Sequence, residues 1–186
     1  MYNKDMWRNR KVLVTGHTGF KGSWLCIWLN ELGADVSGLS FVEPVSSPDM
    51  FTSLNLNQIV NDQRGDIVDS NVCSNTLKNI EPEILFHMAA QPLVMESYSD
   101  PLTTYKTNVI GTANILNAAR SCKSLRAIIL VTSEKCYKNI EKDSAYVETD
   151  PLGGRDPYSS SKSCAELVAS SYYQSFLTRS RLKEGF

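Results

Sequence analysis

Short apolar runs alternate along this chain with longer segments in which apolar residues recur every three or four positions. The runs predict five β-strands, at residues 11–15, 35–40, 58–64, 83–88 and 126–132. The segments between them predict helices, among them one at residues 69–80, whereas residues 43–49 carry two prolines and two serines and predict a loop. Strand and helix in regular alternation indicate an α/β fold with a parallel sheet.

The predicted helices have recognisable beginnings and ends. The first helix ends at Gly33, and its apolar residues at helical spacing are Leu25, Trp28, Leu29 and Leu32. Asp100 followed by Pro101, and Asp156 followed by Pro157, predict two later helix starts. An Asp accepts hydrogen bonds from the free amides of a first turn, and a Pro loses none there.

Composition and charge narrow the class of protein. The chain has 186 residues, of which 42% are hydrophobic, as in an ordinary globular protein. Its net charge of −1 does not show the excess of positive charge that is typical of a nucleic-acid-binding protein. Its apolar runs are far shorter than the ~20 residues that cross a bilayer, and its polar start lacks a secretory signal. We therefore expect a cytoplasmic protein without a membrane partner. Five widely spaced cysteines predict reduced thiols, and two distant histidines argue against a metal site.

A glycine-rich turn joins the first strand to the first helix, with Gly16, Gly19 and Gly22 at three-residue spacing. Glycines permit a tight turn and a close backbone approach, while the helix start offers free amides and partial positive charge to a phosphate. We therefore predict a dinucleotide pyrophosphate here. The predicted contacts are Gly16, His17, Thr18, Gly19, Phe20, Lys21 and Gly22. For His17 and Lys21, the alternative is that an exposed turn simply favours polar side chains.

Two acidic positions are candidates for the nucleoside end of that ligand. An acidic residue ~20 positions after the turn accepts the ribose hydroxyls of NAD, whereas a basic residue suits NADP. Glu43 lies 21 residues after Gly22, although it equally fits a solvated loop charge. Asp66, with Ile67 beside it, follows the third strand and predicts an adenine-side contact. The alternative for Asp66 is an ordinary helix cap.

The strand count defines the expected domain. A doubly wound, Rossmann-type dinucleotide fold has six strands in two halves, and five are predicted here. We therefore expect one dinucleotide-binding domain over residues 1–178, with its last helix extending to about residue 176. A polar tail follows at 179–186. The last strand or strands and a separate substrate domain are expected to be absent.

Tyr158 and Lys162 are a candidate catalytic pair, because they lie one helical turn apart on one face. A phenol has a pKa of ~10 and becomes a base near neutral pH only beside a cation, which at ~4 Å lowers that pKa by ~3. Such a pair would take a hydroxyl proton while a hydride leaves the same carbon. The spacing by itself is a weak signal.

A second cluster follows the fifth strand, where Ser133, Glu134 and Lys135 are consecutive. Ligands of open parallel sheets bind outside the carboxyl ends of the strands. A hydroxyl, an acid and an amine at that edge can polarise an oxygen, protonate a leaving group and abstract a proton. The alternative is a polar loop after a core strand, and Tyr158 downstream favours the catalytic interpretation.

Four motifs in order resemble the extended short-chain dehydrogenase/reductase family: the glycine turn, residues 87–91, residues 108–112 and the Tyr158–Lys162 pair. Within it, residues 18–25, 91–94 and 135–137 are similar to the CDP-glucose 4,6-dehydratases. The resemblance runs from about residue 10 to residue 176. It implies a Rossmann-type fold, NAD as cofactor and CDP-glucose as substrate. It also adds Ala89, Ala90, Gln91 and Asn108 to the expected cofactor contacts, besides Tyr158 and Lys162.

The resemblance implies a role for each candidate catalytic residue. Tyr158, helped by Ser133 and Lys162, removes a hydroxyl proton while NAD takes the hydride from carbon 4. Lys135 then removes the carbon 5 proton, and Glu134 protonates the departing 6-hydroxyl. Asn108 is expected to brace the active-site helix and a proton-relaying water, or else to be a helix-surface amide.

Further expectations follow from the same resemblance. The helices that begin at Pro101 and Pro157 are expected to form a homodimer. The family normally has Asp at the position of Glu134, so here the acid reaches one methylene further. It also has a carboxyl-terminal region with most sugar-nucleotide contacts, which we expect this chain to lack.

Other functions remain open at this point. An epimerase or reductase of the same superfamily needs Tyr158 and Lys162 but no acid and base beside Ser133. A truncated, inactive NAD-binding fragment is also consistent with the sequence. A regulator that senses NAD has no positive feature here.

Overall fold

The computed structural model describes residues 4–41 and 48–177. Five parallel strands form one sheet: β1 Lys11–Thr15, β2 Asp35–Ser40, β3 Asn61–Arg64, β4 Ile84–His87 and β5 Ala127–Leu130. Their order is β3-β2-β1-β4-β5, which is the doubly wound order with its switch point between β1 and β4. The predicted α/β, Rossmann-type fold and its five strands are confirmed.

The third strand is shorter than predicted. Residues 58–64 were expected to be extended, but Leu56–Gln58 forms a 3₁₀ turn and only Asn61–Arg64 pairs with β2. Asn55 precedes that turn in the left-handed conformation, with φ 50°. Asn is one of the few residues that tolerates this conformation, so the chain turns here before it can join the sheet.

Seven α-helices connect and cover the strands of the described chain. They are α1 Phe20–Glu31, α2 Met50–Ser53, α3 Ser70–Ile80, α4 Val94–Ser99, α5 Pro101–Tyr105, α6 Thr112–Ala119 and α7 Pro157–Tyr172. A π-helical stretch, Lys106–Gly111, joins α5 to α6, and another, Tyr173–Leu177, continues α7. Within the two described ranges, no helix has the length and apolar character needed to cross a bilayer.

The two helix starts predicted from Asp–Pro pairs are confirmed. The Asp100 carboxylate accepts from the Thr103 amide at 3.0 Å, and that of Asp156 from the Ser159 amide at 3.0 Å. Asp69 caps α3 in the same way, through the Asn71 amide. The short helices α2 and α4 were not predicted.

The buried face of α1 differs from the predicted one. Leu29 is buried, but Trp28 is 51% exposed, and the other buried residues of this helix are Gly22, Ser23 and Cys26. A Cβ at Gly22 would lie 2.2 Å from the carbonyl oxygen of Gly16. The helix therefore contacts the sheet closely through small residues, and Trp28, one of the apolar residues at helical spacing, is not on its buried face.

Each face of the sheet has its own apolar core. Alternate β1 residues point to opposite faces, as the pleat requires: Val12 and Val14 pack with α1, and Leu13 packs with α3 and α6. The five cysteines are free thiols and four of them are buried, which agrees with the predicted reduced, structural cysteines.

A buried chain of hydrogen bonds crosses from β1 to the helix that follows β4. The Thr15 hydroxyl accepts from two backbone amides at 3.1 Å each, so its own proton goes to Nδ1 of His87, at 2.7 Å. Nε2 of His87 then donates to the Thr112 hydroxyl at 3.0 Å, which donates to the Asn108 carbonyl at 2.7 Å. This chain requires neutral His87 with its proton on Nε2.

Burial and, to a smaller extent, the nearby positive charge of Lys162 together lower the pKa of His87 to about 3. In the unfolded chain a histidine takes up its proton near pH 6.5. Between these two values the unfolded state binds more protons than the folded state, so acid removes stability.

We predict that the free energy of unfolding falls as the pH drops from 6.5 toward 3, by up to ~1.4 kcal/mol per pH unit from His87. The measurement is urea unfolding at a series of pH values in this range. His87→Gln removes the titrating group, so its unfolding free energy should depend less steeply on pH. Equal slopes for the two proteins would contradict a neutral His87 in the folded state.

Candidate functional site

Three segments that carry predicted site residues leave the sheet at the same edge. The glycine turn follows β1, residues 88–91 follow β4, and Ser133 begins the turn beyond β5. These strands are parallel neighbours, so their carboxyl ends lie side by side. Helix α7, with Tyr158 and Lys162, packs against the turn after β5.

The glycine turn is packed backbone against backbone. Gly16 has φ +74°, and a Cβ there would lie 2.8 Å from the Ala89 amide nitrogen. Gly22 is equally restricted by the Gly16 carbonyl, whereas a Cβ at Gly19 would lie 3.3 Å from that oxygen. Gly16 and Gly22 therefore hold the turn against β4 and α1, and Gly19 has more space around it.

The start of α1 is open to an anion. Its N-cap is Gly19, which has no side chain to occupy the first amides of the helix, whereas Asp residues cap α3, α5 and α7. Those amides, with the partial positive charge of a 12-residue helix, form a cradle of the kind that phosphate groups occupy. The cradle fits the pyrophosphate of a dinucleotide.

His17 points away from this cradle into the protein. Its side chain is fully buried; Nδ1 lies 2.9 Å from Ser40 Oγ and Nε2 lies 2.8 Å from Asp62 Oδ1. Burial lowers the pKa of His17, although Asp62 acts in the opposite direction. A Cβ at Gly38 would lie 2.2 Å from the ring, so this glycine makes room for the imidazole. The phosphate contact predicted for the His17 side chain is therefore wrong.

The other turn residues differ in how far they can reach a ligand. The Thr18 amide donates to Ser40 Oγ at 3.2 Å, and its side chain is buried. Phe20 and Lys21 are exposed at the start of α1. Lys21 lies close enough to Lys162 to affect its charge, which brings the turn and α7 into one electrostatic environment.

The predicted nucleoside contacts have different outcomes. Glu43 lies outside the described residues. The Asp66 carboxylate accepts from the Val68 amide at 2.9 Å within its own turn, and the helix cap is Asp69. The Ile67 side chain lies in the core, where it leaves no room for a side chain at position 111.

Asn114, which was not predicted, donates to the carbonyls of residues 67 and 68 and fixes the loop after β3. No local pattern in the sequence indicated this contact, because it joins residues 46 and 47 positions apart.

The segment after β4 is tied to α7 through Asn108. Its Oδ1 accepts from the Gln91 amide at 2.8 Å, and its Nδ2 donates to the Gln91 carbonyl at 3.1 Å and to Ser161 Oγ at 2.8 Å. Ser161 in turn donates to the Tyr158 carbonyl at 2.7 Å. The bracing contact expected of Asn108 is present, and this amide is not at the helix surface, since it is 1% exposed.

Residues 89–91 follow the same edge of the sheet. Ala89 and Ala90 are half-buried, and the Ala89 amide donates to the Thr15 hydroxyl. The Gln91 side chain donates to Thr104 Oγ1 at 2.8 Å. The backbone of this segment is thus fixed on both sides, by β1 and by the helix that contains Asn108.

Tyr158 and Lys162 lie together on the buried side of α7. They are 9% and 7% exposed, and Nζ of Lys162 lies 5.9 Å from the centre of the Tyr158 ring. Burial lowers the pKa of Lys162 to about 8, while Glu166 raises it and Lys21 lowers it. The lysine is therefore still mainly charged at neutral pH and has a proton that is easier to lose than that of a solvated lysine.

Ser133, Glu134 and Lys135 form one compact turn. Ser133 Oγ donates to Glu134 Oε2 at 3.0 Å, and Lys135 Nζ lies 3.5 Å from Glu134 Oε1. The Ser133 hydroxyl, followed by Lys135 among other groups, lowers the pKa of Glu134, which is thus ionised at neutral pH. A general acid must first regain a proton, so this arrangement is a resting state.

A cavity of about 410 Å³ opens beside this turn. Its lining includes the acid and the amine of the turn, and it extends to Ser159, the neighbour of Tyr158. Tyr137 and Tyr146, stacked at 4.9 Å, line it as well, together with the exposed Arg155. The candidate acid and base therefore face one open space next to the candidate Tyr–Lys pair.

Known proteins resemble the chain over most of its length. The family model described as GDP-mannose 4,6 dehydratase matches residues 13–181. The chain is 48% identical over 176 residues to CDP-glucose 4,6-dehydratase of Salmonella typhimurium, which covers 95% of this chain and 49% of that relative. It is 28% identical to dTDP-D-glucose 4,6-dehydratase of Dictyostelium discoideum, and this match covers 95% of this chain and 43% of that relative. The chain thus spans about half the length of these two relatives, or less.

Solved structures share the fold. A dTDP-glucose 4,6-dehydratase of Streptomyces venezuelae, solved with NAD, has a TM-score of 0.77 at 25% identity and covers 88% of this chain and 52% of its own. A UDP-glucose 4-epimerase of Brucella ovis, also solved with NAD, has a TM-score of 0.78 at 26% identity. This match covers 91% of this chain and 50% of the epimerase chain. The family model matches residues 13–181, and the two solved structures share the fold of this chain. The chain therefore belongs to the GDP-mannose 4,6-dehydratase family.

Proposed function

We propose that this chain contains the NAD site and the catalytic groups of a CDP-glucose 4,6-dehydratase, which converts CDP-glucose to CDP-4-keto-6-deoxyglucose. The observation that carries the proposal is the Glu134–Lys135 pair, which faces the cavity next to Tyr158 and Lys162. Similarity to the Salmonella typhimurium dehydratase supports the choice of nucleotide sugar.

The turn after β1 would hold the cofactor. The open amides at the start of α1 suit the pyrophosphate, and Lys21 adds a positive charge at the same end of the sheet. Residues 89–91, packed against this turn at Gly16 and tied to Asn108, form a fixed wall beside it. When bound, NAD supplies a hydride acceptor for carbon 4 and returns that hydride at carbon 6.

Tyr158 and Lys162 would handle the proton of the 4-hydroxyl. With a pKa of about 8, Lys162 is about nine tenths charged at pH 7, and this positive charge would assist Tyr158 as it takes the hydroxyl proton. Ser133 Oγ is a hydroxyl at the edge of the same site and would donate to the sugar oxygen. Both effects become stronger when the substrate excludes water.

Glu134 and Lys135 would become the acid and the base of the reaction when a proton passes from Lys135 to Glu134. In the resting turn Lys135 forms an ion pair with the Glu134 carboxylate. Burial by a sugar disfavours both charges, so a proton passing from Lys135 to Glu134 becomes more favourable. That transfer would leave an amine ready to remove the carbon 5 proton and an acid ready to protonate the 6-hydroxyl. A 4-epimerase needs neither group, so this pair favours a dehydratase.

A homodimer is part of the proposal. Helices α4, α5 and α7 carry the exposed apolar side chains of Met95, Tyr98, Leu102 and Leu167. Helices α5 and α7 pack against each other, so these residues can form a joint surface. Burying such a surface in a second copy of the same helices would remove it from water.

NAD binding tests the cofactor turn. We predict that Gly19→Val lowers NAD affinity roughly tenfold or more, because the new side chain fills the approach to the helix amides. Calorimetric titration measures the affinity, and thermal unfolding checks the fold. Gly16→Val is the comparison. This variant should also be less stable, because the valine side chain would clash with the Ala89 backbone and position 16 has φ +74°. Unchanged NAD affinity in folded Gly19→Val would contradict the site.

Turnover tests the reaction. We predict little or no 4-keto-6-deoxy sugar from this chain with NAD and CDP-glucose, because positioning supplies ~7 to 11 kcal/mol of barrier reduction and relatives are about twice as long. Joined to the carboxyl-terminal half of the Salmonella typhimurium relative, the chain should convert CDP-glucose in preference to GDP-mannose.

In the joined protein, Tyr158→Phe should lower turnover about a hundredfold or more while NAD affinity is kept. A joined protein that folds and binds NAD but produces no keto sugar would contradict the proposed function. Rapid turnover by the chain without the added half would contradict the need for further positioning groups.

Self-association tests the helix surface. We predict that Leu102→Glu combined with Leu167→Glu shifts sedimentation from dimer to monomer at micromolar concentration, because two charges would be buried without partners. Leu54→Glu, at an exposed apolar position beyond α2, is the matched control and should remain dimeric. If the wild-type chain is a monomer even at high concentration, the proposed dimer is wrong.

A further inference from the structure

Glu166 lies on the same face of α7 as the two residues with proposed catalytic roles. Tyr158, Lys162 and Glu166 are four residues apart in turn, so their side chains follow one another along the helix. Glu166 is half-buried. It lies one helical turn beyond Lys162, and the proposed reaction gives it no task.

The Glu166 carboxylate is held by the segment that follows β5 and leads into the site. The Thr132 hydroxyl donates a hydrogen bond to Glu166 Oε1, and Thr132 immediately precedes Ser133. One helical turn away, Ser163 Oγ donates to the Cys136 carbonyl at 2.6 Å. Two contacts therefore fix the turn after β5 against α7, so the loss of one need not release it.

The charges around Lys162 come from several elements. Burial and Lys21, on α1, lower its pKa, and Glu166 raises it. His87, on β4, is neutral and hydrogen-bonded on both ring nitrogens, while Tyr158 lies one turn away on α7. Glu166 is thus the negative group that offsets the burial of the lysine and the charge of Lys21.

We propose that Glu166 is a positioning residue: held by Thr132, it is the fixed counter-charge of Lys162 beside Tyr158. The inference rests on the proposed function for its catalytic meaning. A merely structural Glu166 would stabilise the contact between α7 and the segment after β5 without any effect on the lysine. The two roles are distinguished by the titration of Lys162.

The test is the titration of Lys162 by NMR in protein labelled at lysine Cε, with its resonance assigned through Lys162→Arg. Glu166→Gln keeps the size of the side chain and an acceptor for Thr132 but removes the charge. We expect it to lower the Lys162 pKa from about 8 by about one unit, so that the charged fraction at pH 8 falls from about one half to about one tenth.

Two further variants make the result specific. Glu166→Asp keeps the charge, so the Lys162 pKa should fall by less than half as much as in Glu166→Gln. Glu96→Gln removes an exposed carboxylate from the neighbouring α4 and should leave that pKa unchanged. The proposal is overturned if Glu166→Gln leaves the Lys162 pKa unchanged, or if Glu166→Asp lowers it equally.

Activity gives a second readout in the joined protein. There, Glu166→Gln should move the high-pH limit of turnover down by about one unit, because Lys162 loses its proton at lower pH. A profile that only falls in height would overturn the positioning role. If the lysine titration gives the expected shift but the joined wild-type protein makes no keto sugar, the proposed function fails and the counter-charge remains.

Discussion

The contact between the backbone of the glycine turn and the backbone after β4 determines the rest of the site. Gly16 and Gly22 leave no space for a side chain against Ala89 and against the turn itself. This close approach brings the start of α1 beside the ends of β1 and β4. The open amides of the helix, the segment 89–91 and the turn after β5 can therefore face one ligand.

Around this contact the protein avoids burying a second positive charge near Lys162. His87 lies in the core, but its hydrogen bonds to Thr15 and Thr112 require the neutral ring. The lysine itself is buried and has Glu166 as the opposing charge. An isolated buried charge is costly. With His87 neutral, the buried positive charge here is the Lys162 ammonium, which the proposed chemistry uses.

The two halves of the candidate site differ in how they are prepared. Tyr158 and Lys162 lie in a fixed, mostly buried environment, braced by Asn108 and Ser161. Glu134 and Lys135 are exposed and paired with each other, in the protonation states opposite to those their proposed roles need. A substrate that covers them would favour neutral groups, so this half of the site depends on its ligand.

The sequence by itself determined the elements that depend on local chemistry. Five strands, the helix starts at Asp100 and Asp156 and the glycine turn between β1 and α1 were all predictable, because hydrophobic period, capping and glycine spacing act within a few residues. The Tyr158–Lys162 pair was found in the same way. The shortening of β3 and the short helices α2 and α4 could not be predicted from these local patterns.

Only the tertiary structure decided where the polar side chains point. His17 looked like a phosphate ligand, yet it is buried, because Gly38 makes room for its ring and Asp62, 45 residues away, accepts a hydrogen bond from its Nε2. Trp28 belongs to the apolar residues at helical spacing, yet it is exposed, because small residues bring α1 against the sheet. The contact of Glu166 with Thr132 joins segments 34 residues apart. Such contacts depend on how strands and helices pack, and no local pattern in the sequence encodes them.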